Sequence, residues 1–197
     1  MRLWRPAKQI EPKAFESQQD KLQRMSEAVL TRYHRELNAE ISDPARLTAV
    51  YGASFANANI RQQAEAVAMM ASQMLRVPNA RVSVITAEAQ ESIAVVENAK
   101  IASDVVPLED SWCKHVIGTG REMAVRDAST HPLVCDTEYA RNGSIVSYLG
   151  VPVANPDGVI VGVLCVYDDK HRDWQISDVG MLTQLSFVLT RAMNVPS

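Results

Sequence analysis

The stretch Ser147–Asp168, "SYLGVPVANPDGVIVGVLCVYD", decides the fold. Its apolar residues alternate on either side of "NPDG", residues 155–158. Alternation over strand-length runs broken by an Asn-Pro-Asp-Gly turn predicts two antiparallel strands joined as a hairpin. The more apolar arm, "GVIVGVLCVY", carries two glycines and is too short to span a bilayer. Upstream, "ARVSVITAE" (80–88) alternates as a strand with Val82, Val84 and Thr86 on one face. "ESIAVVENA" (91–99) predicts a second strand beyond a polar turn at Glu88–Glu91. "EMAVRDA" (122–128) predicts another, and 101–110 is weakly patterned.

Helical periods flank this block. Leu22, Met25, Val29, Tyr33 and Leu37 recur at steps of three and four within a polar, helix-favouring stretch from Pro12 to about Ile41. That narrow stripe suits a seam against another helix, in this chain or in a second copy. "SDPARL" restarts the period, with Ser42 or Asp43 as cap and Pro44 in the first turn, and Leu47, Val50 and Tyr51 continue it. A third helix is expected from Ile60 to Leu75, burying Ala64, Val67, Ala68, Ala71, Met74 and Leu75. "SWCKHVIGTG" (111–120) reads as a short helix closed by Gly118 or Gly120, and 131–143 as loop and short helix. The last helix, "SDVGMLTQLSFVLTRAM", is expected to be capped at Ser177, with Leu182, Leu185, Val188 or Leu189, and Met193 inward. Helices on one face of a mostly antiparallel sheet make an α+β domain.

Composition narrows the function. The 197 residues carry a net charge of −3 with both signs interspersed, which gives no footprint for nucleic acid. Arg2, Arg5, Lys8 and Lys13 surround Trp4 with no apolar run behind them, so neither a secretory signal nor stable membrane insertion is expected. Three cysteines at irregular spacing make no disulfide framework. The expectation is a cytoplasmic protein.

The words "DPARLTAVY" (43–51), "VPNARVSVITAE" (77–88), "SWCKHVI" (111–117), "MAVRDASTHPLV" (123–134), the 147–168 hairpin and "DVGMLTQLSFVL" stand in an order that resembles the GAF domain family. The resemblance runs from about Asp43 to Met193 and is strongest for sensor modules of bacterial signalling proteins. It implies a GAF-like antiparallel sheet of five or six strands, with helices on one face and a ligand pocket on the other. A long N-terminal helix precedes it, so residues 1–42 form a tail and amphipathic helix and 43–197 the GAF domain. It also implies that the cysteine-containing helix, the following strand and its loop form the lid and wall of the pocket, with "SYLGVPV" as its floor. Trp112, Cys113, His115, Asp127 and Tyr148 are then the ligand-binding residues, for an unknown small molecule.

Three functions follow. The first is a non-catalytic sensory or regulatory domain that signals through a homodimer or a separate signalling protein, since no effector segment follows Met193. The second is a thiol-based enzyme of the free methionine-(R)-sulfoxide reductase type. The third is a dimerising module with a vestigial pocket. Chemistry has the weaker claim. Cys113 and His115 would diverge on a helix, and His131 with Cys135 lacks companions, so no metal site is expected. Cys165 reads as packing within an apolar strand, and Asp127 and Asp168 stand at strand ends where carboxylates cap or turn the chain.

Overall fold

Helices α1 (Gln18–Ile41), α2 (Pro44–Gly52) and α3 (Ala58–Leu75) lead into strands β1 (Asn79–Ile85) and β2 (Ala89–Glu97). Short strands β3 (Lys100–Ala102) and β4 (Val105–Pro107), helix α4 (Cys113–Thr119) and strand β5 (Met123–Val125) follow. A 3-10 turn at Ala128–Thr130 and helix α5 (Glu138–Arg141) precede the hairpin of β6 (Ser147–Ala154) and β7 (Ile160–Asp168), and α6 (Ile176–Ala192) comes last. This computed structural model describes residues 18–53, 55, 57–97, 100–102 and 105–193, without the side chains of 18–25 and 100–102. The basic tail around Trp4 and the side chains of Leu22 and Met25 lie outside the described residues. The chain divides into two compact units, Met1–Arg35 and Glu36–Ser197.

In the first unit Val29 is 67% exposed and Leu30 37%. The second unit holds an antiparallel sheet in the order β3-β2-β1-β7-β6-β5, with β4 also paired to β2. β3 pairs with Val95–Glu97 and β4 with Ala89–Glu91, so two fragments share one edge and the sheet has six strand positions. The unpatterned 101–110 stretch therefore supplies part of the sheet edge. Residue by residue, β6 and β7 pair from Ser147↔Asp168 to Ala154↔Ile160. Their turn is held by the Asn155 carboxamide oxygen, which accepts from Asp157 N at 3.1 Å and Val159 N at 2.9 Å. Gly158 takes φ +83°, which glycine adopts at no steric cost.

One face of the sheet carries the apolar core. Ala80, Val82 and Val84, with Leu149, Val151, Leu164 and Val166, pack on Ala64, Val67 and Ala71 of α3 and Leu182, Leu185 and Leu189 of α6. Glycine at position 162 lets β1 and β7 approach: a Cβ there would stand 2.5 Å from the Ser83 carbonyl oxygen. Several local readings are corrected. Met74, expected on the buried face of α3, is 52% exposed, and Tyr51 is 67% exposed. The β1–β2 turn is tighter than expected: Thr86 Oγ1 accepts from Glu88 N and Ala89 N, so β2 starts at Ala89. α6 is capped at Gln175 rather than Ser177, its N–H donating to the Asp178 carboxylate at 2.9 Å. α2 is capped by Asp43, which accepts from Arg46 N at 2.7 Å.

Leu37 departs from the seam expected of it. It is 3% exposed and lies against Gly118 of α4, where any Cβ would overlap its side chain. Leu37 and Ile41 thus anchor the last turns of α1 in the second unit. Gly118 permits this close approach, while Gly120, at φ +65°, closes α4.

Candidate functional site

The sheet face opposite α3 and α6 is polar and holds a small cavity under α4. The strand register sets its floor: Arg81 lies opposite Cys165, and Tyr148 opposite Tyr167. Gln90 and Val106 form a wall, Ser111, Trp112 and Cys113 the roof, and half-buried Asp110, Tyr139 and Ile145 the rim. Its volume is about 30 Å³, room for water or a molecule of similar size.

Buried polar groups here are linked in a chain, as burial demands. Gln90 donates to Ser83 Oγ at 3.2 Å and accepts from Ser111 Oγ at 2.6 Å. Ser111 Oγ in turn accepts from Lys114 N at 3.2 Å, fixing the start of α4. The Lys114 ammonium donates to the Leu108 and Glu109 carbonyls at 2.6 and 2.9 Å, tying the approach loop to the helix. Trp112 is 3% exposed; its indole N–H reaches Thr137 Oγ1 at 2.9 Å, and its ring meets Tyr148 edge-on at 5.6 Å.

Arg81 supplies the site's buried cation. Its guanidinium donates to the Tyr167 hydroxyl at 3.3 Å, lies 3.6 Å from Glu97 and stacks over the Tyr167 ring. Burial pushes the Tyr167 phenol well up, so it stays protonated and donates to Glu97 at 3.1 Å. An Arg inside β1, flanked by Ala80 and Val82, was the legible sign of a polar inner face.

The two buried thiols meet here. Cys113 Sγ and Cys165 Sγ are 3.8 Å apart, and the Tyr148 hydroxyl donates to Cys113 at 3.4 Å. The contact with Cys165 holds the Cys113 thiol below its ordinary value, assisted by Tyr148 and the Arg81 charge, while burial opposes them. The same contact, together with burial, pushes Cys165 up. Cys165 is buried as a core residue would be, but on the cavity side rather than among the apolar strands and helices.

Of the five residues expected at the pocket, Trp112, Cys113 and Tyr148 line the cavity. His115 is buried on α4 outside that lining. Asp127 also stands apart: it caps the 3-10 turn, accepting from Ser129 N at 3.0 Å and Ser129 Oγ at 2.6 Å. Those bonds hold its carboxyl below the usual range, and His171 lies 3.6 Å away. Asp168 binds Arg172, which also donates to the Arg76 carbonyl. Three cavity side chains that sequence reasoning passed over are Arg81, Gln90 and Tyr167. Among the described residues, no three His, Cys, Asp or Glu side chains gather to hold a metal. Nor, among them, is any helix long and apolar enough to cross a membrane.

The GAF domain family matches residues 59–193. No curated protein matches the chain. A type II free methionine-R-sulfoxide reductase from Thermoplasma acidophilum aligns at 18% identity and TM-score 0.56, over 68% of this chain and 92% of its own. The GAF domain of an Acinetobacter phosphoenolpyruvate-protein phosphotransferase aligns at 16% and 0.55, over 86% and 93%. The Thermosynechococcus elongatus PixJ GAF domain, in its blue-light absorbing form, aligns at 20% and 0.53, over 67% and 85%. At these identities the likeness is one of fold.

Proposed function

The chain belongs to the GAF domain family, and from that premise we propose that it is a non-catalytic sensory or regulatory module whose input is a small molecule in the α4 cavity. The observation that carries this reading is the buried Arg81 guanidinium on the cavity floor. That buried cation, shared with Glu97 at 3.6 Å, is the group that a small anion or a compact hydrogen-bonding ligand would meet in a site of this size. Anything larger requires α4 and the 105–112 loop to move. Native mass spectrometry of freshly purified protein, paired with thermal unfolding against a panel of small carboxylates and inorganic anions, tests it. A ligand present at a hundred times its Kd should add about 2.7 kcal/mol of stability, and Arg81→Met should abolish the gain. No bound molecule and no stabilisation across the panel would favour the vestigial-pocket reading.

Output would pass through helices. Val29 and Leu30 on α1, Met70 and Met74 on α3, and Phe187 and Val188 on α6 are all exposed. Isolated polar helices with a narrow apolar seam are marginal in water, so the proposal includes a homodimer, or a separate signalling partner, seated on such surfaces. Met25→Glu combined with Val29→Glu is expected to shift the protein from dimer to monomer in sedimentation. The second unit should lose no more than about 0.5 kcal/mol, as for surface changes elsewhere. A dimer that survives both charges would move the interface to α3 or α6. Three free thiols suit a reducing, cytoplasmic compartment.

A second reading has its own observation, the contact between Cys113 and Cys165. A thiol enzyme of the sulfoxide reductase type would use such a pair. Thiol-dependent turnover of methionine sulfoxide by the wild-type protein would establish it, although a 30 Å³ cavity does not hold that substrate without rearrangement.

A further inference from the structure

We propose that Cys113 and Cys165 form a redox-active dithiol that a small hydroperoxide, admitted to the cavity, oxidises to a disulfide. This rests on the sensory reading and names an input for the same cavity.

The geometry supplies each part. Both cysteines line the cavity and their sulfurs lie 3.8 Å apart, so closing to a bond of about 2.0 Å requires some 1.8 Å of approach. Cys113 receives a hydrogen bond from Tyr148 and lies in the field of Arg81, which together favour its thiolate. The contact with Cys113 and burial push the Cys165 thiol up, so Cys165 is the sulfur that keeps its proton. The roles are therefore unequal: Cys113 is the attacking sulfur and Cys165 the resolving one. Cavity size selects the oxidant. About 30 Å³ takes hydrogen peroxide and excludes glutathione disulfide or a sulfoxide of amino-acid size.

The steps balance. The Cys113 thiolate attacks one peroxide oxygen; an S–O bond forms, the O–O bond breaks, and the released alkoxide or hydroxide takes a proton. Cys113 becomes a sulfenic acid, oxidised by two electrons, while the peroxide is reduced to alcohol or water. Cys165 then attacks the Cys113 sulfur. An S–S bond forms, the S–O bond breaks, and hydroxide leaves with the Cys165 proton as water. In sum, two thiols and one hydroperoxide give one disulfide, one alcohol (or water) and one water.

The reaction has a structural outlet. Cys113 opens α4, and Gly118 of the same short helix seats Leu37 at the end of α1. Drawing α4 toward β7 displaces that seat, so oxidation is passed to α1 as a change of packing.

The experiment uses the full chain, reduced and desalted without oxygen, then exposed to a few equivalents of hydrogen peroxide. The protein is unfolded in N-ethylmaleimide and weighed intact. The expected product has lost two hydrogens and is alkylated once, at Cys135, with a Cys113–Cys165 peptide recovered by mapping and lost on reduction. Half-buried Cys135 should oxidise about tenfold or more slowly than the pair, and glutathione disulfide should leave all three thiols free. Cys165→Ala should stop at a Cys113 sulfenic acid captured by dimedone, and Cys113→Ser should yield no pair product. Three alkylatable thiols after peroxide, oxidation led by Cys135, or a ready mixed disulfide with glutathione would overturn the proposal. The sensory reading is scored separately. Anion-dependent stabilisation of the reduced wild-type protein keeps that reading even where the dithiol fails. A disulfide that leaves sedimentation unchanged keeps the dithiol and removes the signalling role.

Discussion

Tyr148→Ala is expected to lower the free energy of unfolding by about 3–5 kcal/mol, the scale of large aromatic truncations in a core that cannot close over the gap. Tyr148 is 2% exposed and supports three neighbours at once. Its ring meets Trp112 edge-on, and its hydroxyl donates to Cys113. Its side chain also folds back over Gly150, two residues along the same strand, where a Cβ would overlap it. Removing the ring therefore empties the floor beneath the roof helix without freeing any other group to fill the space. Tyr148→Phe separates the two contributions. It keeps the packing and removes one hydrogen bond, for a loss of about 1 kcal/mol. Urea unfolding of both variants measures this, with an unchanged m-value as the sign that the folded state stays compact. A loss below about 1 kcal/mol for the alanine variant would mean that the floor rearranges readily, and a wall that yields so easily could admit larger ligands.

Arg46→Met is the second large effect, again about 3–5 kcal/mol, and it acts far from the cavity. Arg46 is 2% exposed, and its guanidinium donates to the carbonyls of Glu40, Ile41 and Ile85 at 3.0, 2.6 and 2.9 Å. One side chain thus fastens the end of α1 to the last residue of β1. Burial lowers its pKa, yet guanidinium starts so high that the group stays charged. Methionine matches the stem but leaves three acceptors without that donor, and each unsatisfied buried group costs about 1–3 kcal/mol. Arg46→Lys should recover only part of the loss, because an ammonium cannot span the same fork. Chemical denaturation of the three proteins in parallel decides it. Equal stabilities would show that water replaces the guanidinium.

Neither effect could be read from the chain in the same way. The hairpin at 147–168 was legible because alternation and a turn sequence agree over twenty-two consecutive residues. The buried faces of α3 and α6 were legible for the same reason, repeated apolar spacing. β3 and β4 were not, since a three-residue edge strand is too short to show a period. Arg46 was missed because a lone arginine on a helix reads as solvent-facing until the carbonyls it meets are brought together by the fold. The thiol contact joins residues 52 apart in sequence, and neither neighbourhood mentions the other. Asp127 shows the reverse: the local rule that a carboxylate at a strand end caps the next turn describes its contacts, where the motif resemblance had assigned it to the pocket wall.

The strand order also says something about time. β6 meets β7 across the five residues Asn155–Val159, and β1 meets β2 across Thr86, Ala87 and Glu88, so both ribbons can zip from their own bends. The seam between the ribbons is another matter: Asn79 reaches Tyr167 across 88 residues. The entropy of closing so long a loop is lost before the contact repays it. Two hairpins that form early and a central junction that forms late leave β1 and β7 with unpaired inner edges during that interval. β7 is the more apolar of the two, so the newly synthesised chain is most exposed to misassociation along that edge, and the glycine at 162 keeps the place open for Ser83 until β1 arrives.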